Sequence, residues 1–379
     1  MLKIKSDKII VNQTLFDGYV YVENGKIKKV SEQDFEAENV YDFTGKYLSA
    51  GFIDMHTHGA GGYAFMNSSV EDVVNGCDFH LQHGTTTILP TVSCCDFNGM
   101  RNAVSNVEKA KGKAKSNVLG AHLEGPYISP NQAGAQYPGF ITPPIKEQYE
   151  SIVNEFPNGI RRWTYAPERD VNGEFCKFLI EHDIIASAGH SDAKYSDMEV
   201  AIKNGCNLIT HLYSSTSTIT RENGFRNLGV IESAFLRDEL YVEIIADGKH
   251  LPPELINMII KIKGTDKVAL ITDSLDIAGT DVKEGVMSGT EFIVEDGVCK
   301  LKDRTGFAGS VATADCLIRT LVNHCGFSIP TAVKMLTEVP AKILNVKKGK
   351  IQSGYDADLI VFDDNLSVLD VFVLGEKVK

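Results

Sequence analysis

Residues 47–58 read YLSAGFIDMHTH, a short apolar run that stops in two histidines one residue apart. A run this short and this apolar has the form of a strand buried on both faces, as in a parallel sheet covered by helices. Seven later runs have the same form: TTTILPTVS (85–93), NVLGAHLEGP (117–126), RRWTYAPE (161–168), DIIASAGHS (183–191), LITHLYS (208–214), YVEIIADGKH (241–250) and VALITDS (268–274). Between them lie helix-like stretches such as SSVEDVVNGCDFHLQHG (68–84), SDMEVAIKNG (196–205) and PELINMIIKIKG (253–264), each closed by the glycine that commonly follows a helix. Eight strand–helix units in about 290 residues predict an α/β fold, a (β/α)8 TIM-like barrel, with an open doubly wound sheet as the alternative.

The chain ends read differently. KIIVN (8–12), GYVYVENG (18–25) and KIKKVSE (26–32) alternate apolar and polar residues, and Asp17-Gly18 and Asn24-Gly25 predict turns between them. GKIQSGYDADLIVFDD (349–364), VLDVFVLGEKVK (368–379) and TEFIVEDGVCKLKD (290–303) alternate likewise. Strands left alone would expose unpaired edges, so pairing between the two ends is the economical solution. The expectation is a small β-sandwich domain of residues 1–48 plus 346–379, joined by a hairpin near 290–303, and a catalytic barrel domain of residues 49–345.

Composition narrows the function. The chain has 379 residues, 43% of them hydrophobic, enough for a large core and too many for a disordered chain. Its 38 Lys and Arg against 50 Asp and Glu leave a net charge of −12, which repels phosphate backbones and argues against nucleic acid as a partner. No stretch reaches the roughly 18 apolar residues of a membrane span. The opening MLKIKSDKIIVN lacks a signal-peptide core, and eight Cys without a CxxC motif suit free thiols in a reducing compartment, so a cytoplasmic location is expected. The vicinal pair Cys94-Cys95 reads as buried packing.

The chemistry gathers at the run ends. His56 and His58 end the first run, Glu124 follows His122 in the third, and His190 and His211 end the fifth and sixth. Asp247 with His250 ends the seventh and Asp273 the eighth. In a barrel all strand C-termini share one face, so these residues converge there. Alternating side chains put His56 and His58 on one side, where two imidazoles can grip one metal ion; a chance surface pair is the plain alternative. Nitrogen and carboxylate donors without thiolate suit a catalytic Zn, Fe or Mn site. Asp273 reads as a general base beside the metal, with a helix N-cap as its structural alternative. His122 reads as barrel-interior packing. His83, His182 and His324 sit near helix ends, where a histidine cation favours the dipole, and His80 lies three before His83 on the same helix, where a helical metal pair is the alternative to a structural role. Gly59-Ala60-Gly61-Gly62-Tyr63-Ala64 fits G-x-G-x-x-A, a dinucleotide pattern, but close passage of a loop beside the site explains it better.

Seven stretches, GFIDMHTHG (51–59), GAHLEGPYISPNQAGAQ (120–136), SAGHSDA (187–193), THLYS (210–214), IIADGKH (244–250), ITDS (271–274) and FAGSVAT (307–313), occur in an order that resembles the N-acetylglucosamine-6-phosphate deacetylases of the amidohydrolase superfamily. The resemblance implies Glu124, His190 and His211 as main metal ligands, His56 and His58 as ligands of a second ion, and Asp273 as the catalytic acid–base. It implies Ala135, Gln136, Ser214, Ser215, Arg221, His250, Phe307, Ala308 and Gly309 around an amino-sugar phosphate. One or two divalent ions are implied, Zn first, with Fe, Mn, Co or Ni as alternatives. The matching arginine can come from a neighbouring subunit, so a homodimer is implied.

Two departures are visible. Ser214-Ser215-Thr216 stands where members commonly carry Asn-Ala after His-Leu-Tyr, and Gln136 stands where one version has His. The Arg221 alignment can also slip to Arg226. The amide-hydrolase class is unaffected, whereas the galactosamine epimer, or another N-acyl amide, stays open as substrate. A catalytically dead sugar-phosphate binder and a nucleotide-dependent oxidoreductase are the rival classes.

Overall fold

The computed structural model describes residues 1–287 and 290–379. Eight parallel strands follow the eight runs: β1 (Phe52–Thr57), β2 (Thr85–Val92), β3 (Ala121–Glu124), β4 (Ile160–Tyr165), β5 (Ile185–Ala188), β6 (Leu208–Ile209), β7 (Tyr241–Ile244) and β8 (Val268–Leu270). Each pairs with its successor from β1 to β8. Between β8 and β1 the Asp273 amide donates to the His56 carbonyl at 2.9 Å and the His58 amide to the Ser274 carbonyl at 2.7 Å. Below them Thr272 Oγ1 donates to Asp54 Oδ2 at 2.6 Å. These bonds nearly close the barrel, and the open doubly wound sheet is set aside.

Helices cover the outside. The first, Val70–Gln82, starts in a capping box between Ser69 and Asp72, and it buries Val73, Cys77 and Leu81 on one stripe against the barrel. Apolar strand residues on the outer face join the same core, which explains the continuous hydrophobic runs.

The two chain ends form one mixed eight-stranded sheet. Strand Leu359–Phe362 shows how it docks: Leu359 and Val361 join Ile4, Val20 and Phe372 in a small separate core, while Ile360 and Phe362 enter the barrel core. Period-two alternation thus buries both faces of this strand. Two expectations need correction. Asp17-Gly18 is not a turn but lies within strand Thr14–Glu23; the turn falls at Asn12-Gln13, whose φ values are 48° and 63°. Gly18 serves close approach instead, since a Cβ there would meet the Ser31 carbonyl at 2.6 Å. The 290–303 hairpin does not join the chain-end sheet. Its strands Thr290–Glu295 and Val298–Leu301 belong to a separate four-stranded sheet that ends in Phe307–Gly309, over the open end of the barrel. Among the described residues no helix is long and apolar enough to cross a membrane.

Candidate metal centre and cavity

The C-terminal ends of the barrel strands bring six side chains to one point. Glu124 lies at its middle: its Oε1 is 3.1 Å from His190 Nε2, 3.0 Å from His211 Nε2 and 3.3 Å from His56 Nε2. Its Oε2 is 3.2 Å from His58 Nε2. Asp273 Oδ1 stands 3.3 Å from the Nε2 of both His56 and His58. Two three-residue groups have donor atoms close enough for a single ion, His56–His58–Asp273 and His56–Glu124–His211.

The spacing fits a metal. Nitrogen pairs at 3.3 Å (His56–His58) and 3.2 Å (His190–His211) bring lone pairs together unless a proton or cation lies between. Tetrahedral bonds of about 2.05 Å give an edge of about 3.3 Å between ligand atoms. The outer nitrogens are held as ligand histidines require. His190 Nδ1 is 2.8 Å from the Gln132 carbonyl, His211 Nδ1 is 3.1 Å from the Ser214 carbonyl, and His58 Nδ1 is 3.0 Å from Ser93 Oγ.

Three of these residues have left-handed backbones: His190 (φ 47°), His211 (φ 27°) and Asp273 (φ 47°), each just past its strand. Such conformations cost about 1–3 kcal/mol each and collect at functional sites. Here the surroundings fix them: Ser129 donates to the His190 carbonyl at 2.8 Å, and Ser310 to that of Asp273 at 3.0 Å.

Buried charge sets the electrostatics. Burial alone would lower His56 and His58, but Glu124 and Asp273 outweigh it and push them to about 10 and about 9. Burial would raise Asp273, yet His56 and His58 hold it well below the usual carboxylate range. The two carboxylates therefore demand positive charge beside them, from protons or from metal.

Above the centre opens a cavity of about 430 Å³, in the range of small-ligand sites. Ala135, Gln136, Ser214, Ser215, His250, Phe307, Ala308 and Gly309 line it together with the metal-centre residues His58, Glu124, His190, His211 and Asp273. Asp247 Oδ2 lies 2.8 Å from His250 Nδ1 and orients that ring, which packs on Phe307 with centroids 4.8 Å apart. The Gln136 amide is committed: its Nε2 donates to Glu124 Oε2 at 2.6 Å and its Oε1 accepts from Cys94 at 2.8 Å. Arg221 does not reach this cavity. It lies on the exposed hairpin Thr220–Glu222 and Phe225–Asn227, directly opposite Arg226. The cavity has no Lys or Arg among its described lining residues.

Other histidines take structural roles. His122 is buried between Thr91 Oγ1 at 3.1 Å and Thr164 Oγ1 at 2.7 Å, inside the barrel. His83 faces Asp315 at 3.2 Å. In the glycine cluster, Gly61 and Gly62 donate their amides to the Ala278 and Asp276 carbonyls, both at 2.7 Å, so those amides are not free to cradle a phosphate. All eight cysteines are free thiols, and burial raises Cys94 well above, and Cys95 to about 12. Asp247, expected at the end of its run, is there as the partner of His250; Ser93, Gln132 and Tyr213 were not among the expected site residues, and Ser93 stands at a strand end, the signal that could have found it.

A family model described as amidohydrolase family matches residues 47–378. The chain is 32% identical to the N-acetylglucosamine-6-phosphate deacetylase of Bacillus subtilis (strain 168), covering 97% of this chain and 94% of that protein. It is also 32% identical to the N-acetylgalactosamine-6-phosphate deacetylase of Shewanella sp. (strain ANA-3), over 89% of this chain and 84% of that one. A solved structure of N-acetyl-D-glucosamine-6-phosphate deacetylase from Mycobacterium smegmatis, an Asp-to-Ala mutant in complex with N-acetyl-D-glucosamine-6-phosphate, superposes with a TM-score of 0.92 at 25% identity, covering 100% of this chain and 99% of that one.

Proposed function

Because the chain belongs to the amidohydrolase family, whose superfamily is metal-dependent, we propose that it hydrolyses the acetamide of N-acetyl-D-glucosamine 6-phosphate to acetate and D-glucosamine 6-phosphate. The observation that carries this reading is the convergence of four imidazoles and two carboxylates at the floor of a cavity sized for a small ligand. Full-length similarity to the Bacillus subtilis deacetylase supports the substrate.

In this reading Glu124, His190 and His211 hold one divalent ion, and His56 and His58 hold a second. When bound, the metal supplies Lewis-acid activation of water and of the amide carbonyl, and Zn is the first choice for such a donor set. Asp273, a carboxylate that is ionised at neutral pH, accepts a proton as water adds to the carbonyl carbon. It then gives that proton to the amine nitrogen as the carbon–nitrogen bond breaks. Ser214, Ser215, Ala135 and the Phe307–Gly309 loop pack the sugar, and His250, aimed by Asp247, faces the phosphate.

A phosphate needs more cation than this cavity offers. The hairpin bearing Arg221, with Phe225 77% exposed at its tip, suits a homodimer in which Arg221 reaches the partner's cavity. We assign the barrel to residues 49–345 and the small β domain to residues 1–48 and 346–379, with the 290–303 hairpin part of the cavity wall. Buried free thiols suit a cytoplasmic enzyme.

The similarity to the Shewanella enzyme favours the galactosamine epimer as a second reading. Comparing kcat/KM on the two epimers separates them: a preference for the galactosamine compound overturns the first reading.

A further inference from the structure

The barrel interior beneath the metal centre carries a charged pair where packed aliphatic side chains are usual. Arg162 on β4 and Glu243 on β7 are both 0% exposed. All five guanidinium N–H groups have acceptors. Nε donates to Ser187 Oγ at 3.0 Å, and Nη1 donates to the Met55 carbonyl at 3.2 Å and to Glu243 Oε1. Nη2 donates to Thr210 Oγ1 at 2.9 Å and to Glu243 Oε2 at 2.7 Å. A fully buried pair of this kind is often no more stable than well-packed apolar residues of the same volume, so stability alone gives no reason for it.

Directly above lies His56. Its Nε2 faces Glu124 and Asp273. Its Nδ1 is buried without a hydrogen-bond partner, although an unmade bond at such a depth is unfavourable. The Glu243 carboxylate faces it, with Oε2 3.9 Å away. A ring shift of roughly 1 Å brings the two within hydrogen-bond distance.

We propose that Glu243 is a positioning residue for His56: it accepts the Nδ1 proton, so that the ring presents Nε2 to the metal, and Arg162 fixes the carboxylate that does so. The proposal rests on the reading of His56 as a metal ligand. Carboxylate partners of this type set the tautomer and orientation of ligand histidines, and their loss costs about 10–100-fold in metal affinity.

The test is equilibrium dialysis of metal-free protein against Zn2+ or Co2+, with bound metal measured by mass spectrometry and folding followed by circular dichroism. Wild type, Glu243→Gln, the double variant Arg162→Met with Glu243→Met, and His56→Asn are compared. The expected result is that Glu243→Gln and the double variant fold but bind the ion held by His56 about 10–100-fold more weakly. A purely structural pair predicts wild-type affinity in the folded double variant, and that result overturns the proposal. Should the double variant not fold, Glu243→Gln carries the same test. Unchanged metal content in His56→Asn overturns the premise itself, a failure recognisable because the loss is absent before Glu243 is touched.

Discussion

The Nε2 atoms of His190 and His211 lie 3.2 Å apart, each on a residue with a left-handed backbone just beyond its strand. Both Nδ1 atoms face backbone carbonyls, which takes the neutral rings' protons to that side and leaves the two Nε2 lone pairs facing each other unless positive charge lies between them. Both Nε2 atoms are also within hydrogen-bond distance of Glu124 Oε1, so one cation can satisfy all three.

Removing the metal should loosen the fold. An ion that binds only the native state stabilises it by RT ln(1 + [L]/Kd), about 4 kcal/mol at a thousandfold excess over Kd. Thermal melts are expected to rise with added Zn2+ in wild type and to respond weakly in His190→Asn and His211→Asn. An equal rise in all three would place the ion elsewhere.

Metal uptake should release protons. With folded values of about 10 for His56 and about 9 for His58, both imidazoles of the metal-free protein are charged at pH 7 and must lose a proton to bind. Affinity therefore falls as pH falls. Calorimetry in buffers of different ionisation enthalpy reads the count, and zero released protons at pH 7 contradicts the assignment.

His80 gives a separate pH dependence of stability. It is buried, with Nε2 2.9 Å from Thr57 Oγ1 and 3.1 Å from the Gly59 carbonyl, and burial lowers it from 6.5 to about 4. A group depressed in the folded state takes up its proton first in the unfolded chain. Its contribution is present above pH 6.5 and is lost as pH falls towards 4, by roughly 3 kcal/mol at most. Denaturant titrations at pH 7.5 and pH 5 should show a smaller difference for His80→Gln than for wild type.

Much of this candidate site was legible because each of its proposed ligands ends an apolar run. His56, Glu124, His190, His211 and Asp273 are separated by long stretches of sequence, yet the barrel rule that strand ends share one face predicts their meeting. What stayed hidden was non-local. Nothing in TEFIVEDGVCKLKD says which sheet it joins, and alternation alone suits the chain ends and the cavity wall equally. Asp17-Gly18 has turn chemistry, but pairing with Ile9 and Ile10 keeps Phe16 and Leu15 in a strand that runs through it. Nothing in RRWTYAPE or YVEIIADGKH marks Arg162 and Glu243 as partners, since their pairing depends on two strands facing each other across the barrel.

Asp273 should separate chemistry from metal binding. Asp273→Asn is expected to lower kcat by about 10²–10⁴-fold, the usual worth of a positioned acid–base group, while the ion at Glu124, His190 and His211 is retained. Metal analysis beside steady-state rates reads both. A variant with near wild-type kcat would remove Asp273 from the proton transfers.

Acetate release from N-acetyl-D-glucosamine 6-phosphate, followed with Zn2+-loaded protein and with the same protein after chelation, tests the central claim most directly. The account predicts steady release by the loaded protein, loss on chelation and recovery on adding metal back. No release by protein whose metal content is confirmed, or release that chelation leaves unchanged, would contradict it.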